Sequence, residues 1–299
     1  MVLASAAGIV ASTVSHSNFT DNNITGTPRW GIAIRSNGDS ISYGNRVERN
    51  RLVDLARSTR DLGGLSFIGE GHTGTLVRHN CVRRAVGLDT DPSGKFNTPF
   101  YTWGIYLDNW SSNFTVDSNI FHTNVLGGIF VHGGSNNTIT NNIAFNSSNA
   151  SMPPLGAHGH CAASSGVLFG AMRSGPTFFG VLTDNTWRRN IVLAAAGPGA
   201  QPMAIVETSE HWLNFSKHFG QGFGATHNTY WSPISDLRAA PDVTPLGSWK
   251  AWQAAGHDAQ SRIADPLFID PENGNFGLRP GSPALKSGFV PLPEGLDQC

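Results

Sequence analysis

The chain repeats itself, and the repeat limits what it can fold into. Gly104-Ile105-Tyr106-Leu107-Asp108-Asn109 is echoed by Gly128-Ile129-Phe130-Val131-His132-Gly133. Thr115-Val116-Asp117-Ser118-Asn119-Ile120 is echoed by Thr138-Ile139-Thr140-Asn141-Asn142-Ile143. The Gly-apolar-x-apolar motif also occurs at Gly31-Ile32-Ala33-Ile34 and Gly64-Leu65-Ser66-Phe67. After each copy an alternating run ends in Asn and an apolar residue, with instances ending at Asn23, Asn50, Asn80, Asn119 and Asn142 and weaker copies at Asn190 and Asn228. Repeats of this length mean stacked units, each burying its apolar face against the next. Within a unit the apolar residues alternate, which predicts strands with one face in and one out. No apolar pattern of helical period persists between Gly31 and Asn142. A chain that repeats strand, turn, strand, turn can coil so that each strand pairs with its copy one turn later, giving an all-β parallel β-helix.

The recurring asparagines suit sharp bends, because Asn tolerates the left-handed backbone. Stacked copies can also hydrogen-bond along the axis as a ladder. Insertions break the rhythm at residues 85–103 and 147–180, within a coil region expected over residues 1–231. Long loops on a regular scaffold are where binding concentrates. Asp89, Asp91 and Ser93 look like the start of a calcium loop, but the twelfth position is Phe100 and not a glutamate. His158 and His160 beside Cys161 lack the spacing of a zinc site. No metal and no cofactor is expected. Residues 232–299 read as a segment covering the open end of the stack. It contains one short helix, with Ser248 as N-cap and Gly256 as stop.

Composition narrows the partners. Among 299 residues only 14% are charged and the net charge is −1, so no basic field points to nucleic acid or an anionic membrane. No apolar run approaches the roughly 20 residues of a membrane helix. The apolar start reads as a strand and not a signal peptide. The three cysteines, Cys81, Cys161 and Cys299, make a poor disulfide framework, and Cys81, inside an apolar strand pattern, reads as a buried small hydrophobe. Sequons at Asn18, Asn23, Asn113, Asn136, Asn146, Asn149 and Asn214 are either glycan acceptors of a secreted protein or chance products of an Asn-, Ser- and Thr-rich chain. Oligomeric state is not legible.

Aligning the motifs on their glycines sorts the side chains. The second and fourth positions are apolar in every copy and point inward. The third column, Ala33, Ser66, Tyr106 and Phe130, and the fifth, Arg35, Ile68, Asp108 and His132, must then face out. Asp108 and His132 become neighbours on adjacent coils, and Glu70 follows on the coil before Asp108. Carboxylates beside an imidazole and aromatics suit saccharide chemistry, since glycoside hydrolysis uses two carboxylates. Tyr106, Trp103, Trp110 and Phe130 are candidate platforms for sugar rings, and Arg35 is a candidate substrate ligand. The bland alternatives are a surface ion pair between Asp108 and His132, or an Asp108 that accepts turn hydrogen bonds.

The stretches Asp61–Asn80, Trp103–Asn119 and Gly127–Ile143 resemble right-handed parallel β-helix proteins of the pectate-lyase-like superfamily, nearest to β-helix glycoside hydrolases of the fucosidase and xylanase type. The tail from Ala264 to Phe289 is similar to segments that recur in such proteins. The resemblance implies catalytic carboxylates at Asp61 and Asp108 with His132 lining the site. The chain departs from the family pattern at Asn109, Ser66 and Gly133. On a straight strand Asp61 and Asp108 lie too far apart to cooperate. They can do so only if the chain bends at Gly63-Gly64, and otherwise Glu70 is the better partner. The leading expectation is a secreted, extracellular or periplasmic glycoside hydrolase acting on a polysaccharide or oligosaccharide. The alternatives are a polysaccharide lyase or uronate epimerase, and a non-catalytic glycan-binding or structural β-helix.

Overall fold

A computed structural model of the chain describes residues 7–146, 164–171, 173–174, 178–179, 182–194, 201–207, 222–240, 244 and 246–299. His158, His160, Cys161, Asn149 and Asn214 lie outside the described residues, as does most of the 147–180 insertion. The chain coils into a right-handed parallel β-helix with three long sheets of seven, seven and eight strands. The first sheet stacks Ile9–Ser12, Ile32–Arg35, Leu62–Ile68, Thr102–Asp108, Gly127–His132, Ser164–Ala171 and Gln201–Glu207 in that order, all pairs parallel. Its first strand is a further copy of the motif, Gly8-Ile9-Val10-Ala11, in register with Ile32-Ala33-Ile34. The small Ala11 hides that copy from a sequence reading.

The inward columns are as expected. Ile32, Ile34, Leu65, Phe67, Ile105, Leu107, Ile129 and Val131 are all buried in one continuous core with Val47, Val77, Val116 and Ile139 of the second sheet. The glycines mark a corner where coils approach too closely for a side chain. A Cβ on Gly104 would stand 2.5 Å from the Phe121 ring and 2.7 Å from the Gly128 carbonyl oxygen.

The asparagines form a ladder. Each Nδ2 donates to the Oδ1 one coil on, from Asn22 through Asn50, Asn80, Asn119, Asn142 and Asn190 to Asn228, at 2.8–3.3 Å. The ladder ends on a carboxylate, as Asn228 Nδ2 donates to Asp258 at 2.9 Å. Two corrections follow. The first member is Asn22 and not Asn23, because Asn23 pairs with Arg51, one step past the rung. Nor does the ladder residue take the left-handed backbone. The residue before it does, whatever its type: Asp21, Arg49, His79, Ser118, Asn141, Arg189 and His227 have φ of 53–60°. Asn is needed because its amide donates and accepts at once, satisfying backbone groups at a buried corner.

The insertion at 85–103 makes a hairpin, Asp89–Thr90 against Phe96–Asn97, and Asp91 is occupied by the turn, accepting from Ser93 and Lys95. The expected helix spans Trp249–Ala254, with the Ser248 hydroxyl accepting from the Ala251 N–H. Trp252 from this helix enters the main core.

The rest of the tail lies along the third sheet. Phe268, Phe276 and Phe289 pack on its outward apolar column, which includes Cys81, Ile120, Ile143 and Ile191. The Asn141 amide exchanges two hydrogen bonds with the Val290 backbone. Cys81 is therefore not a free hydrophobe. It forms a disulfide with Cys299 across a sequence separation of 218 residues, a partner that no local pattern reveals.

Two outcomes test this architecture. Asn119→Ala leaves the buried Asn80 backbone N–H without its acceptor and takes a donor from the Val77 and Asp117 carbonyls and from Asn142 Oδ1, and should cost about 3 kcal/mol or more in urea unfolding. Asn18→Ala, at an exposed strand residue, should cost less than about 1 kcal/mol. Cys299→Ser should lower stability by about 2–5 kcal/mol and make the tail a protease target ahead of the coils, a pattern read by limited proteolysis with mass spectrometry.

Candidate active site

The register places the outward columns side by side. Ala33, Ser66, Tyr106 and Phe130 are successive partners, and so are Arg35, Ile68 and Asp108. Facing out of the coil does not mean facing water here. Phe130 and Trp103 are buried with Val125 and Leu126, and Ala33 lies under Trp30, Ala56 and Leu62. Trp103 is 0% exposed and packs against Tyr101, Tyr106 and Phe130 at centroid distances of 4.5–5.2 Å. It has no face left for a sugar ring, so its expected role as a platform is withdrawn.

The chain does bend at Gly63-Gly64. The Ser66 hydroxyl lies 3.0 Å from both the N–H and the carbonyl oxygen of Gly63. A straight strand would separate residues three apart by about 10 Å. Asp61 itself has φ 59°, and its N–H bonds the Tyr101 carbonyl of the next coil. These bends turn Asp61 back over the sheet.

The result is an open cleft of about 570 Å³ lined by Asp61, Asp108, Tyr106, Arg29, Arg35 and Trp30, with Val10, Ser66 and Ile68. Glu70 is exposed between two left-handed glycines, Gly69 and Gly71, and is not among the cleft residues. Its backbone stays beside Asp108, whose carbonyl accepts from the Gly69 N–H at 3.3 Å, but it lies past the end of the strand at Ile68. Trp110 is half-buried past the end of its strand, with its backbone N–H on the His132 carbonyl, and does not line the cleft.

Tyr106 joins the charged groups. Its hydroxyl lies 3.1 Å from His132 Nδ1, which is 2.9 Å from Asp108 Oδ1. The phenol lines the cleft beside Asp61 and Asp108 and feels the charge of both carboxyl groups. Nδ1 of His132 thus stands between the phenol and the Asp108 carboxyl, within hydrogen-bonding distance of both. The ring stack continues through Phe130, whose centroid is 4.6 Å from Tyr106 and 5.0 Å from His132.

The electrostatics separate the two acids. Loss of hydration at the cleft wall and then the Asp108 charge push the Asp61 carboxyl above its ordinary range, against weaker opposition from His132, Arg60 and Tyr106. Asp61 remains exposed as a residue, so the desolvation is partial. Burial, then Asp108 and Asp61, hold the Tyr106 phenol well above its usual value. Arg29 is pushed down by burial and by Arg35, and partly restored by Asp61. Its guanidinium lies 4.0 Å over the Trp30 ring. Arg29 and Trp30 escaped the sequence reading. The available signal was the aromatic before the corner glycine, common to Trp30-Gly31 and Trp103-Gly104.

The linkage has a definite sign. Asp61 has a folded pKa above its unfolded value, so the folded state holds the extra proton. Stability from this group is fully present below the unfolded pKa, and is lost as pH rises through the folded pKa. Asp61→Asn should therefore raise the melting temperature at pH 7 and leave it unchanged at pH 3. A lower melting temperature at pH 7 would refute the strained carboxylate.

No curated protein sequence matches the chain. Among solved structures, the mannuronan C-5 epimerase AlgE4 A-module of Azotobacter vinelandii is 12% identical, with a TM-score of 0.41, covering 87% of this chain and 54% of that one. The structure of XylC with xylose is 11% identical, with a TM-score of 0.43, covering 86% of this chain and 39% of that one. The periplasmic alginate epimerase AlgG is 13% identical, with a TM-score of 0.33, covering 67% and 46%. The chain thus spans about half or less of the length of each. Residues 3–166 match the family described as the right-handed β-helix region, and the chain belongs to that family.

Proposed function

We propose that the chain is a carbohydrate-active enzyme that hydrolyses a glycosidic bond in the Asp61–Asp108 cleft. The observation that carries this reading is that two carboxyl groups from different coils, Asp61 and Asp108, line one open cleft. The raised pKa of Asp61 suits a general acid that protonates the leaving oxygen. Asp108, held by His132, serves as the second carboxylate, acting on the sugar carbon directly or through water. Arg29 and Arg35 orient the substrate, and Trp30 offers an aromatic wall. The Cys81–Cys299 disulfide supports an extracellular or periplasmic setting, since such bonds persist in oxidising compartments.

A second reading, a uronate lyase or epimerase, is favoured by one observation. Arg29 and Arg35 line the wall that Tyr106 and Asp108 also line. Two cations there suit a sugar carboxylate while Tyr106 or His132 handles the C5 proton.

A panel of plant, algal and microbial polysaccharides decides between these. Hydrolysis should release reducing ends without ultraviolet-absorbing products, and both Asp61→Asn and Asp108→Asn should lower turnover by about 10²–10⁴-fold. The rate should fall as pH rises through the raised pKa of Asp61, because the general acid is then lost. Unchanged turnover in Asp108→Asn rejects the assignment, and unsaturated or C5-inverted products favour the second reading.

A further inference from the structure

Two adjoining clefts lie in the C-terminal segment and share no lining residue with the Asp61–Asp108 cleft. One, of about 510 Å³, is lined by Arg238, Trp249, Lys250, Gln253 and Arg262 over a floor that includes Ile263. The other, of about 370 Å³, has Trp231 and Asp236 in its wall and shares Arg238 and Ile263 with the first. Together they make one groove with an indole in each half and three cations.

One of the three cations, Arg238, is fixed by a side-chain hydrogen bond, and none of them is neutralised. Among the described residues, no ion pair joins Arg238, Lys250 or Arg262 to a carboxylate. The Arg238 guanidinium is anchored by a hydrogen bond to the Ile263 carbonyl, and Arg262 sits on a strand paired with Thr229. Trp249 is braced edge-on against Tyr230, with ring centroids 5.3 Å apart. The acid in the groove wall, Asp236, already accepts the Arg238 backbone N–H at 3.0 Å, as a turn cap. In a chain of net charge −1, three cations around an acid-poor cleft are a local concentration of positive field. Fixed guanidinium groups bind carboxylate or sulfate oxygens in pairs, and an indole face covers the apolar face of a pyranose.

We propose that this groove is an accessory binding site for an anionic polysaccharide segment, carrying carboxylate or sulfate groups and held apart from the catalytic cleft. The choice of a saccharide rests on the carbohydrate reading above; the anionic character rests on the groove alone. Polymer bound here would be anchored to the chain while another part of it occupies the Asp61–Asp108 cleft.

The test is binding of the full chain to polygalacturonate, dextran sulfate and neutral dextran, by calorimetry at low and raised salt. At least one anionic polymer should bind about tenfold or more tighter than neutral dextran. Lys250→Ala/Arg262→Ala should lower that affinity by about tenfold and flatten its salt dependence. Both side chains are exposed, so the variant should keep the wild-type melting temperature. Arg262→Lys/Lys250→Arg should retain binding, which separates a charge effect from a local change of fold. The comparison of polygalacturonate with dextran sulfate assigns the group recognised. Unchanged affinity in the double alanine variant overturns the proposal, as does equal binding of neutral dextran. Single-stranded DNA competing as well as the polysaccharide would overturn the saccharide assignment. Turnover in Asp108→Asn concerns the other cleft, so the two readings fail separately.

Discussion

Coil-on-coil hydrogen bonding is the interaction on which everything else here depends. Parallel strands supply most of it, but they leave the corners, where the backbone turns and its polar groups face the interior. The ladder from Asn22 to Asn228 fills that gap, because each amide donates along the axis while its oxygen accepts from the coil before. A ladder needs an end. Asp258 is fully buried and takes hydrogen bonds from Asn228, Tyr230, Trp252 and Ser261, so it receives the last donor without asking for an acceptor. Burial pushes this carboxyl up while those four donors draw it back down. The same carboxylate ties the helical segment to the final coil.

Regular stacking turns sequence into a two-dimensional surface. Residues at one phase of the repeat become a column, and residues at neighbouring phases become adjacent columns. Arg35, Ile68 and Asp108 form such a column, as do Ala33, Ser66, Tyr106 and Phe130. The inward phases are interchangeable hydrophobes, so they build the core. The outward phases are free to differ, and Asp108 and His132 meet because the same phase carries different residues on consecutive coils. The corner glycines add the third dimension. They let the chain fold sharply enough for Trp103 to reach Tyr106, and for Asp61 to line the same cleft as Tyr106 and Asp108.

The tail explains a second irregularity. The third sheet has an apolar outward column, Cys81, Ile120, Ile143 and Ile191, which a bare β-helix would expose. The returning tail buries it under Phe268, Phe276 and Phe289, and the disulfide holds the end in place. The tail and the segment before it also build the cationic groove, so this part of the chain covers one surface and creates another.

Much of this was written in the sequence. Period-two alternation, the recurring glycines and asparagines, and the Ser248-to-Gly256 signal determine the coils, their register, the inward core and the short helix, because each is a local or periodic preference. The phase of Asp108 and His132 could likewise be read by alignment alone. Only the tertiary structure decided what covers the outward side chains. Alternation states which way a residue points from its strand; it does not state whether a loop or a tail lies over it. That is why Trp103 and Tyr106 share an outward wall but only Tyr106 reaches the cleft, and why Cys81 meets Cys299. The pairing of Asp61 with Asp108 belongs to the same class. It depends on a bend whose angle is set by the close approach of neighbouring coils, and no strand period encodes an angle.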